Sequence, residues 1–315
     1  MYIHDNTNNS ALKMFEKLVI RFVYCIMCIT LLSCDTNHQG YYRDIKIFYN
    51  TPVWELIKAI DKDDLSKVES FCKEHPDLIN FQDSIYGITP LMRAIGTDKY
   101  ESTKILLENG ADPNLVAMKI GLNPILVALS DNWGNKAFND NDEYILLLLR
   151  FNADINLNYN CNNNSSEETN VIENGTSPLI YSIIMRNSLK TISLLVENGA
   201  NINYCTESKI SPSIMALMTK DIYVVHYLIC SKNAQVPTKF KSHYIDNKEI
   251  ITANILLNLF YELDSPEYKL KMDIVNELRK QDIDYDEAKK NIPDRIIKTI
   301  QQRYPDTWEE YIEKY

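Results

Sequence analysis

The sequence predicts an all-α protein in which short helices stack side by side into a solenoid. The 315 residues are 45% hydrophobic, which supplies enough apolar side chain for a sizeable core. Few segments show the apolar/polar alternation of half-buried strands. Short apolar segments with helical spacing instead recur in pairs along the chain, so we expect a core built from repeated units.

The charge balance limits the classes of partner. The chain has 33 Lys and Arg against 43 Asp and Glu, a formal net charge of -10. Nucleic-acid binding relies on excess positive charge that neutralises phosphates, so an acidic chain disfavours it. A basic protein partner suits this charge better.

An apolar run with cationic residues before it lies near the start of the chain. The run 22–32 follows Lys17 and Arg21 and precedes the small residue Ser33. It is far shorter than the roughly 20 apolar residues that cross a bilayer, and its flanks match a secretory signal peptide. A signal anchor or an internal apolar helix remains the alternative. Because a long polar lead is unusual, translation can begin at Met14.

Residues 31–34 read LLSC and resemble the lipobox of bacterial lipoproteins. The resemblance implies removal of residues 1–33, lipidation of Cys34 and anchoring to a membrane of the bacterial cell envelope. Residues 34–50 are then predicted to be a linker between the anchor and the folded body.

A repeated unit begins after this linker. Its clearest copy is GITPLMRAI at 87–95 with STKILLENGADPN at 102–114, and a second is GTSPL at 175–179 with ISLLVENGANIN at 192–203. Weaker copies combine 121–125 with 152–156, and 211–212 with 233–234. An opening copy at 54–80 lacks the Thr-Pro-Leu start.

These motifs resemble ankyrin repeats, which begin a first helix with Thr-Pro-Leu and end a second helix with a Gly-Ala-Asp turn. Thr caps the helix start, Pro suits its first turn, and Gly accepts the left-handed backbone at its end. About five repeats are predicted over 51–237. Each has a small residue in its first helix and a residue at its turn, and the two kinds alternate at a half-period of about 17 residues. The small residues are Ala59, Ala94, Ala128, Ser182 and Ala216. The turn residues are Pro76, Ala111, Ala153, Ala200 and Ala234.

Two insertions and a C-terminal region interrupt or follow the pattern. Extra residues are expected within 130–142 and 157–174. The region 238–315 has helical spacing and is predicted to be a helical cap on the last repeat or a small docking domain. Its expected helices are Glu249 to Leu263, Pro266 to Gln281, Tyr285 to Arg303 and Pro305 to Lys314.

Catalytic and metal-binding motifs are missing from the sequence. None of the five His residues has metal-ligand spacing, and there is no phosphate-binding Gly loop or nucleophile elbow. We therefore predict no metal, no cofactor and no enzyme activity. The rival hypothesis is an enzyme with its site in the C-terminal helices.

Only one pair of cysteines is placed to form a disulfide. Cys161 and Cys205 follow turns of adjacent units, but Cys161 lies in an insertion that we expect to be mobile. Cys72 and Cys230, in distant units, are predicted to be buried thiols.

The ankyrin resemblance implies that another protein binds along the turn tips and the outward side of the first helices. An envelope-anchored immunity protein that neutralises a toxin is one such function. The contact candidates are Tyr86, Arg93, Lys119, Tyr181, Lys209 and, from an insertion loop, Trp133.

Overall fold

The computed structural model describes residues 44–130, 142–162, 172–241 and 249–314. The predicted signal peptide, the lipidation site Cys34 and the candidate contact Trp133 lie outside these ranges. Within them the chain is mostly helical, and its helices come in pairs. No helix of the described ranges is long and apolar enough to cross a bilayer.

Five helix pairs follow one another along the chain. They are α1 (Trp54–Asp61) with α2 (Leu65–Glu74), α3 (Pro90–Gly96) with α4 (Tyr100–Glu108), α5 (Pro124–Leu129) with α6 (Asp142–Arg150), α7 (Pro178–Ile184) with α8 (Leu189–Glu197), and α9 (Pro212–Thr219) with α10 (Ile222–His226). A π-helical segment, Tyr227–Ser231, extends α10.

The C-terminal region adds two strands and five helices. They are β1 (Lys239–Lys241), β2 (Glu249–Ile251), α11 (Ala253–Leu256), α12 (Pro266–Arg279), α13 (Tyr285–Lys289), α14 (Asp294–Arg303) and α15 (Trp308–Lys314).

The first helix of pairs two to five starts in the same way. A polar side chain accepts a hydrogen bond from the backbone N–H three residues later, and proline follows it, as the sequence predicts for Thr89. Such caps satisfy amides that have no partner inside the helix. The capping residues are Thr89, Asn123, Ser177 and Ser211.

Two left-handed backbone positions recur in the pairs. One lies between the two helices, at Asp63, Asp98, Arg186, Lys220 and Asp264. The other follows the second helix, at Gly110, Asn152, Gly199, Asn233 and Asp282. Because Asp264 and Asp282 flank α12, the region of α11 and α12 repeats the two left-handed positions, and we call these two helices the sixth pair.

Neighbouring pairs stack with first helices against first helices and second against second. The first helices contact one another in the order α1, α3, α5, α7, α9 and α11, and α10 packs on α12. The predicted small residues lie at these contacts, where a short side chain lets two helices approach closely. All five are buried: Ala59, Ala94, Ala128, Ser182 and Ala216.

The structure corrects the predicted C-terminal region. The helix expected from Glu249 is a strand, β2, which pairs antiparallel with β1. The segment expected as one helix from Tyr285 to Arg303 is divided into α13 and α14, because Pro293 cannot donate a backbone hydrogen bond inside a helix.

The predicted linker also contains a packed element. Residues Ile45–Phe48 form a 3-10 helix against α1, with Ile47 and Phe48 buried. The folded body therefore begins before residue 51, because this short helix is packed on the first pair.

Candidate functional site

A row of hairpin turns lies between successive helix pairs. Each turn is closed by a backbone hydrogen bond, from Asp83 N to Ile88 O (3.0 Å), from Ala117 N to Leu122 O (2.8 Å), from Tyr159 N to Thr176 O (2.9 Å) and from Thr206 N to Ile210 O (3.1 Å). The strands β1 and β2 occupy the corresponding place before the sixth pair. We call this row, residues 83–88, 117–122, 158–162, 172–176, 206–210 and β1–β2, the hairpin edge.

Hydrogen bonds join neighbouring hairpins. The Lys119 ammonium donates to Ser84 O (2.6 Å), Asn162 N donates to Met118 O (2.8 Å), and Lys241 N donates to Ser208 O (2.9 Å). The Ser208 hydroxyl donates to a Glu173 carboxylate oxygen at 3.0 Å. The hairpin edge is therefore a continuous surface and not a set of separate loops.

A ladder of asparagines fixes the spacing of the units. The Asn114 amide donates to Asn152 O (3.0 Å) and accepts from Asp154 N (2.7 Å) in the next unit. Asn80 and Asn156 make the same two bonds to the units that follow them, and Asn203 accepts from Gln235 N. Each of these bonds joins the turn of one unit to the turn of the next, so the ladder holds the register between units.

Exposed side chains of the hairpin edge are apolar as well as charged. Ile85 is 50% exposed and Met118 is 37% exposed, and Tyr86 is half-buried beside them in sequence. Lys119 and Lys209 are exposed. Large exposed apolar side chains on adjacent turns are typical of binding surfaces.

The first of these hairpins is held in one shape by a buried carboxylate. Asp83 is 3% exposed and accepts hydrogen bonds from the backbone amides of Ile85, Tyr86 and Ile88. Ile85 and Tyr86 are thus presented by a rigid turn, which lowers the entropy lost when a partner binds.

Two of the expected contact residues are not at the surface, and the prediction of exposed side chains is wrong for them. Arg93 is 5% exposed and its guanidinium donates to both carboxylate oxygens of Asp61. Tyr181 is 3% exposed and its hydroxyl shares a hydrogen bond of 2.8 Å with Ser130. Burial raises the pKa of Tyr181 to about 12. Both residues lie on first helices that are enclosed by neighbouring helices.

The described start of the second insertion is packed, which corrects the expectation that Cys161 is mobile. Cys161 is buried, its thiol donates to Lys119 O (3.2 Å), and its backbone is bonded twice to the Asn174 amide. Tyr159 is buried against Gly121. Cys161 and Cys205 are both free thiols, as are Cys72 and Cys230.

Reactive groups do not converge within the described ranges. No group of three or more His, Cys, Asp or Glu residues there is arranged to hold a metal ion. The most strongly perturbed cation is Lys271, which is fully buried and donates to Leu259 O (3.1 Å). Burial and the nearby positive charge of Lys289 hold its pKa well below the usual lysine value.

Sequence reasoning missed the apolar part of the hairpin edge and the asparagine ladder. The ladder had a signal in the sequence, because Asn114, Asn156 and Asn203 each stand three positions after the alanine of the turn. Ile85 and Met118 had none, since an isolated apolar residue in a loop is as often buried as exposed.

The architecture defines a class of helical repeat proteins, in which stacked helix pairs present a row of hairpin turns. The ankyrin repeat family model matches residues 86–117 and 174–207, so these two segments are ankyrin repeats. Ankyrin repeats are in general protein-binding modules, and no enzyme family was found. No curated protein matches the chain.

Proposed function

We propose that this chain is an ankyrin-repeat protein that binds another protein along its hairpin edge, without catalysis. On this proposal all five helix pairs of 51–237 are ankyrin repeats, and the sixth pair is a degenerate repeat that begins a C-terminal helical cap. The two matched segments support it, since the third and fifth pairs repeat their helix cap and the left-handed position after the second helix. The first pair repeats the left-handed position between its helices.

The observation that carries the proposal is the rigid, partly apolar hairpin edge. Its turns are bonded to one another, yet Ile85 and Met118 remain exposed. A preorganised surface with apolar side chains loses little entropy and removes apolar area from water when it binds. Of the sequence-based candidates, Tyr86, Lys119 and Lys209 fit this surface.

We also propose that the protein is tethered to the bacterial cell envelope through lipidated Cys34, after cleavage of residues 1–33. The support is the sequence alone: cations, a short apolar run and a LLSC ending in that order. A tether of roughly ten residues would then separate the lipid from the 3-10 helix at Ile45–Phe48.

Site-specific photo-crosslinking tests the binding surface. A photoreactive amino acid at Ile85 or Met118 of the full chain should give the same discrete adduct in cells, because both positions face the partner. The control is Leu146, a 39% exposed residue on the second helix α6, which should not give it. An adduct common to all three positions, or none at Ile85 and Met118, would contradict the proposal.

Metabolic labelling with palmitate tests the anchor. Label should enter the wild-type chain and be lost in Cys34→Ser, while Cys28→Ser, inside the apolar run, should still be labelled. Membrane fractionation of the same variants checks the location. If the wild-type protein stayed unlabelled and were found in the soluble fraction, the proposed lipid anchor would be wrong. The proposal of a protein-binding surface would not be affected.

A further inference from the structure

One stripe of side chains joins successive first helices. Counted from the small residue of each first helix, the stripe contains the residue one position before it and the residue two positions after it. Arg93 is bonded in this way to Asp61 of the pair before it, and Tyr181 to Ser130 of the pair before it. Arg93, Tyr181 and Ser130 are buried, so at these two junctions the stripe is closed by polar contacts within the chain.

The stripe changes character between the fourth and fifth pairs. The same count places Met215 of α9 beside Ile184 of α7, and Met218 follows one turn later. These three side chains are half-buried, whereas the other residues of α7, and of α9 as far as Leu217, are buried. Within the described ranges, α7 and α9 pack chiefly on neighbouring first helices and on second helices. Ile184, Met215 and Met218, which we call the Met215 stripe, therefore mark the least covered side of these two helices.

Cations lie at both ends of the Met215 stripe. Arg186 and Lys220 take the left-handed position after α7 and after α9, and equivalent positions of stacked helices lie roughly 10 Å apart. Lys209 stands two residues before the cap of α9, at the amino end of that helix. All three side chains are exposed, and none forms an ion pair with a carboxylate of the described ranges.

The charge of this region is opposite to that of the first two pairs. There the left-handed position between the helices is aspartate, Asp63 and Asp98. The carboxylates next to the three cations in sequence are Glu207 and Asp221, and the second is engaged as the cap of α10. The cations outnumber these carboxylates, although the chain as a whole has a formal net charge of -10.

We propose that the Met215 stripe binds an acidic amphipathic helix of the protein partner. The apolar side chains of that helix pack on the stripe, where the flexible methionines adapt to their shape. Its carboxylates face the cations at the two ends, which gives the contact its specificity. This inference rests on the proposed protein-binding function and assigns a chemistry to the partner, opposite to the basic partner that the net charge favours.

Two synthetic peptides test the charge preference. Each has about fifteen residues with leucine at helical spacing, and the remaining positions are mainly glutamate in one peptide and mainly lysine in the other. Fluorescence anisotropy with the full chain at low ionic strength measures both affinities. We expect the glutamate peptide to bind at least about tenfold more tightly. Equal affinities, tighter binding of the lysine peptide, or no saturable binding of the glutamate peptide overturns the proposal.

Charge reversal shows whether the preference comes from this site. Arg186→Glu/Lys220→Glu should remove the preference for the glutamate peptide. Lys104→Glu/Lys269→Glu, at exposed lysines of α4 and α12, changes the net charge equally and should retain it. If both double variants respond alike, the attraction is not specific to the Met215 stripe and the proposal fails.

Substitution of the methionines tests the apolar part of the contact. Met215→Gln/Met218→Gln should weaken binding of the glutamate peptide by about tenfold, because the apolar area buried by the peptide is lost. The Tm of this variant, measured in parallel, shows that it is folded. Unchanged affinity in the folded variant contradicts a contact with the stripe.

Other occupants of the stripe have their own signatures. A dimer of the wild type that Met215→Gln/Met218→Gln abolishes would identify a second copy of the chain. Peptide binding that appears only in Trp133→Ser/Phe138→Ser would identify the chain's own insertion. Either result overturns the acidic partner. Crosslinking at Ile85 and Met118 does not depend on the peptides, so an adduct there without peptide selectivity would retain the protein-binding function alone.

Discussion

Side-chain amides connect successive helix pairs, but the first four junctions and the last one differ in which of the two pairs supplies the amide. Asn80, Asn114, Asn156 and Asn203 each reach forward to the turn of the following unit. At the last junction Gln281 reaches backward, donating to Ala234 O (3.2 Å) and accepting from Val236 N (2.9 Å). The backbone groups of a turn need partners, and either neighbour can provide them.

The two regions also bury a cation differently. Arg93 in the second pair is bonded to the carboxylate of Asp61 in the first pair, so the ion pair connects two units. Lys271 in the sixth pair donates to a backbone carbonyl and lies 5.1 Å from the centre of the Tyr285 ring. The junctions of the repeat body are thus reinforced by charge pairing, whereas the sixth pair carries a cation whose charged form is disfavoured by burial.

Asp61→Asn tests the ion pair of the repeat body and should have the largest effect. The substitution keeps the shape of the side chain but leaves the buried Arg93 charge without its carboxylate, so we expect a loss of about 3 kcal/mol in the free energy of unfolding. Urea unfolding at neutral pH measures it. The control Asp63→Asn removes an ion pair with Lys99 whose carboxylate side chain is 60% exposed, and should cost under about 0.5 kcal/mol.

Equal losses in these two variants would mean that the Arg93 pair is solvated. The contrast between the buried cations of the two regions would then fail.

Gly121→Ala tests how tightly the insertion is packed on the second hairpin, 117–122. A Cβ atom at Gly121 would lie 2.5 Å from the Tyr159 ring, and φ there is +74°. Gly110, with φ of +96°, has no atom within 4 Å of the added Cβ. We expect losses of about 3 kcal/mol for Gly121→Ala and about 1 kcal/mol for Gly110→Ala, measured by urea unfolding.

Both variants strain the backbone, so the difference between their losses in the free energy of unfolding measures the clash with Tyr159. If both variants lost the same stability, the insertion would not be packed on the hairpin as the structure shows.

Lys271→Met should act in the opposite direction and stabilise the protein. The folded-state pKa of Lys271 lies below the ordinary 10.5, so the unfolded state binds more protons between the two values and wild-type stability rises with pH there. Removing the amine should raise stability at about pH 7 by about 1–2 kcal/mol and reduce the rise toward about pH 9. Urea unfolding at both pH values measures this.

Lys269→Met, an exposed position on the same helix, is the matched control and should leave the pH dependence unchanged. A destabilised Lys271→Met protein would show that the buried amine is a net stabilising group of the sixth pair.

Two substitutions with the smallest expected losses of stability compare the two kinds of junction directly. Asn114→Ala and Gln281→Ala each remove two hydrogen bonds at a turn and should cost about 1 kcal/mol. In a repeat protein a terminal unit can open alone, whereas an interior junction opens only with its neighbours. Amide hydrogen exchange should therefore show faster exchange in α11–α12 alone for Gln281→Ala, and on both sides of the junction for Asn114→Ala.

If amide exchange became faster over the whole chain in both variants, the sixth pair would unfold together with the repeat body. The difference between the regions would then be one of local chemistry only.

Much of the fold was predictable because its signals are local. Thr89-Pro90 marks a helix start and Gly110-Ala111 a helix end through caps and backbone conformations that neighbouring residues determine. The sixth pair was harder to recognise, since Asp282 takes the left-handed conformation that glycine or asparagine signals after the second helices of pairs two to five. The hairpin of β1 and β2 was missed because its pairing joins residues about ten positions apart, across a contact no local pattern specifies.

The sequence by itself determined the repeat, its helix boundaries and the small residues at the helix contacts, because each follows from spacing and backbone preference. Only the tertiary structure decided which polar residues remain at the surface. Arg93 and Tyr181 have side chains typical of contacts, but neighbouring units enclose both and supply Asp61 and Ser130 as partners. Ile85 and Met118 have side chains typical of a core, yet they stay exposed because no further layer of the residues that the structure describes packs on the hairpin edge.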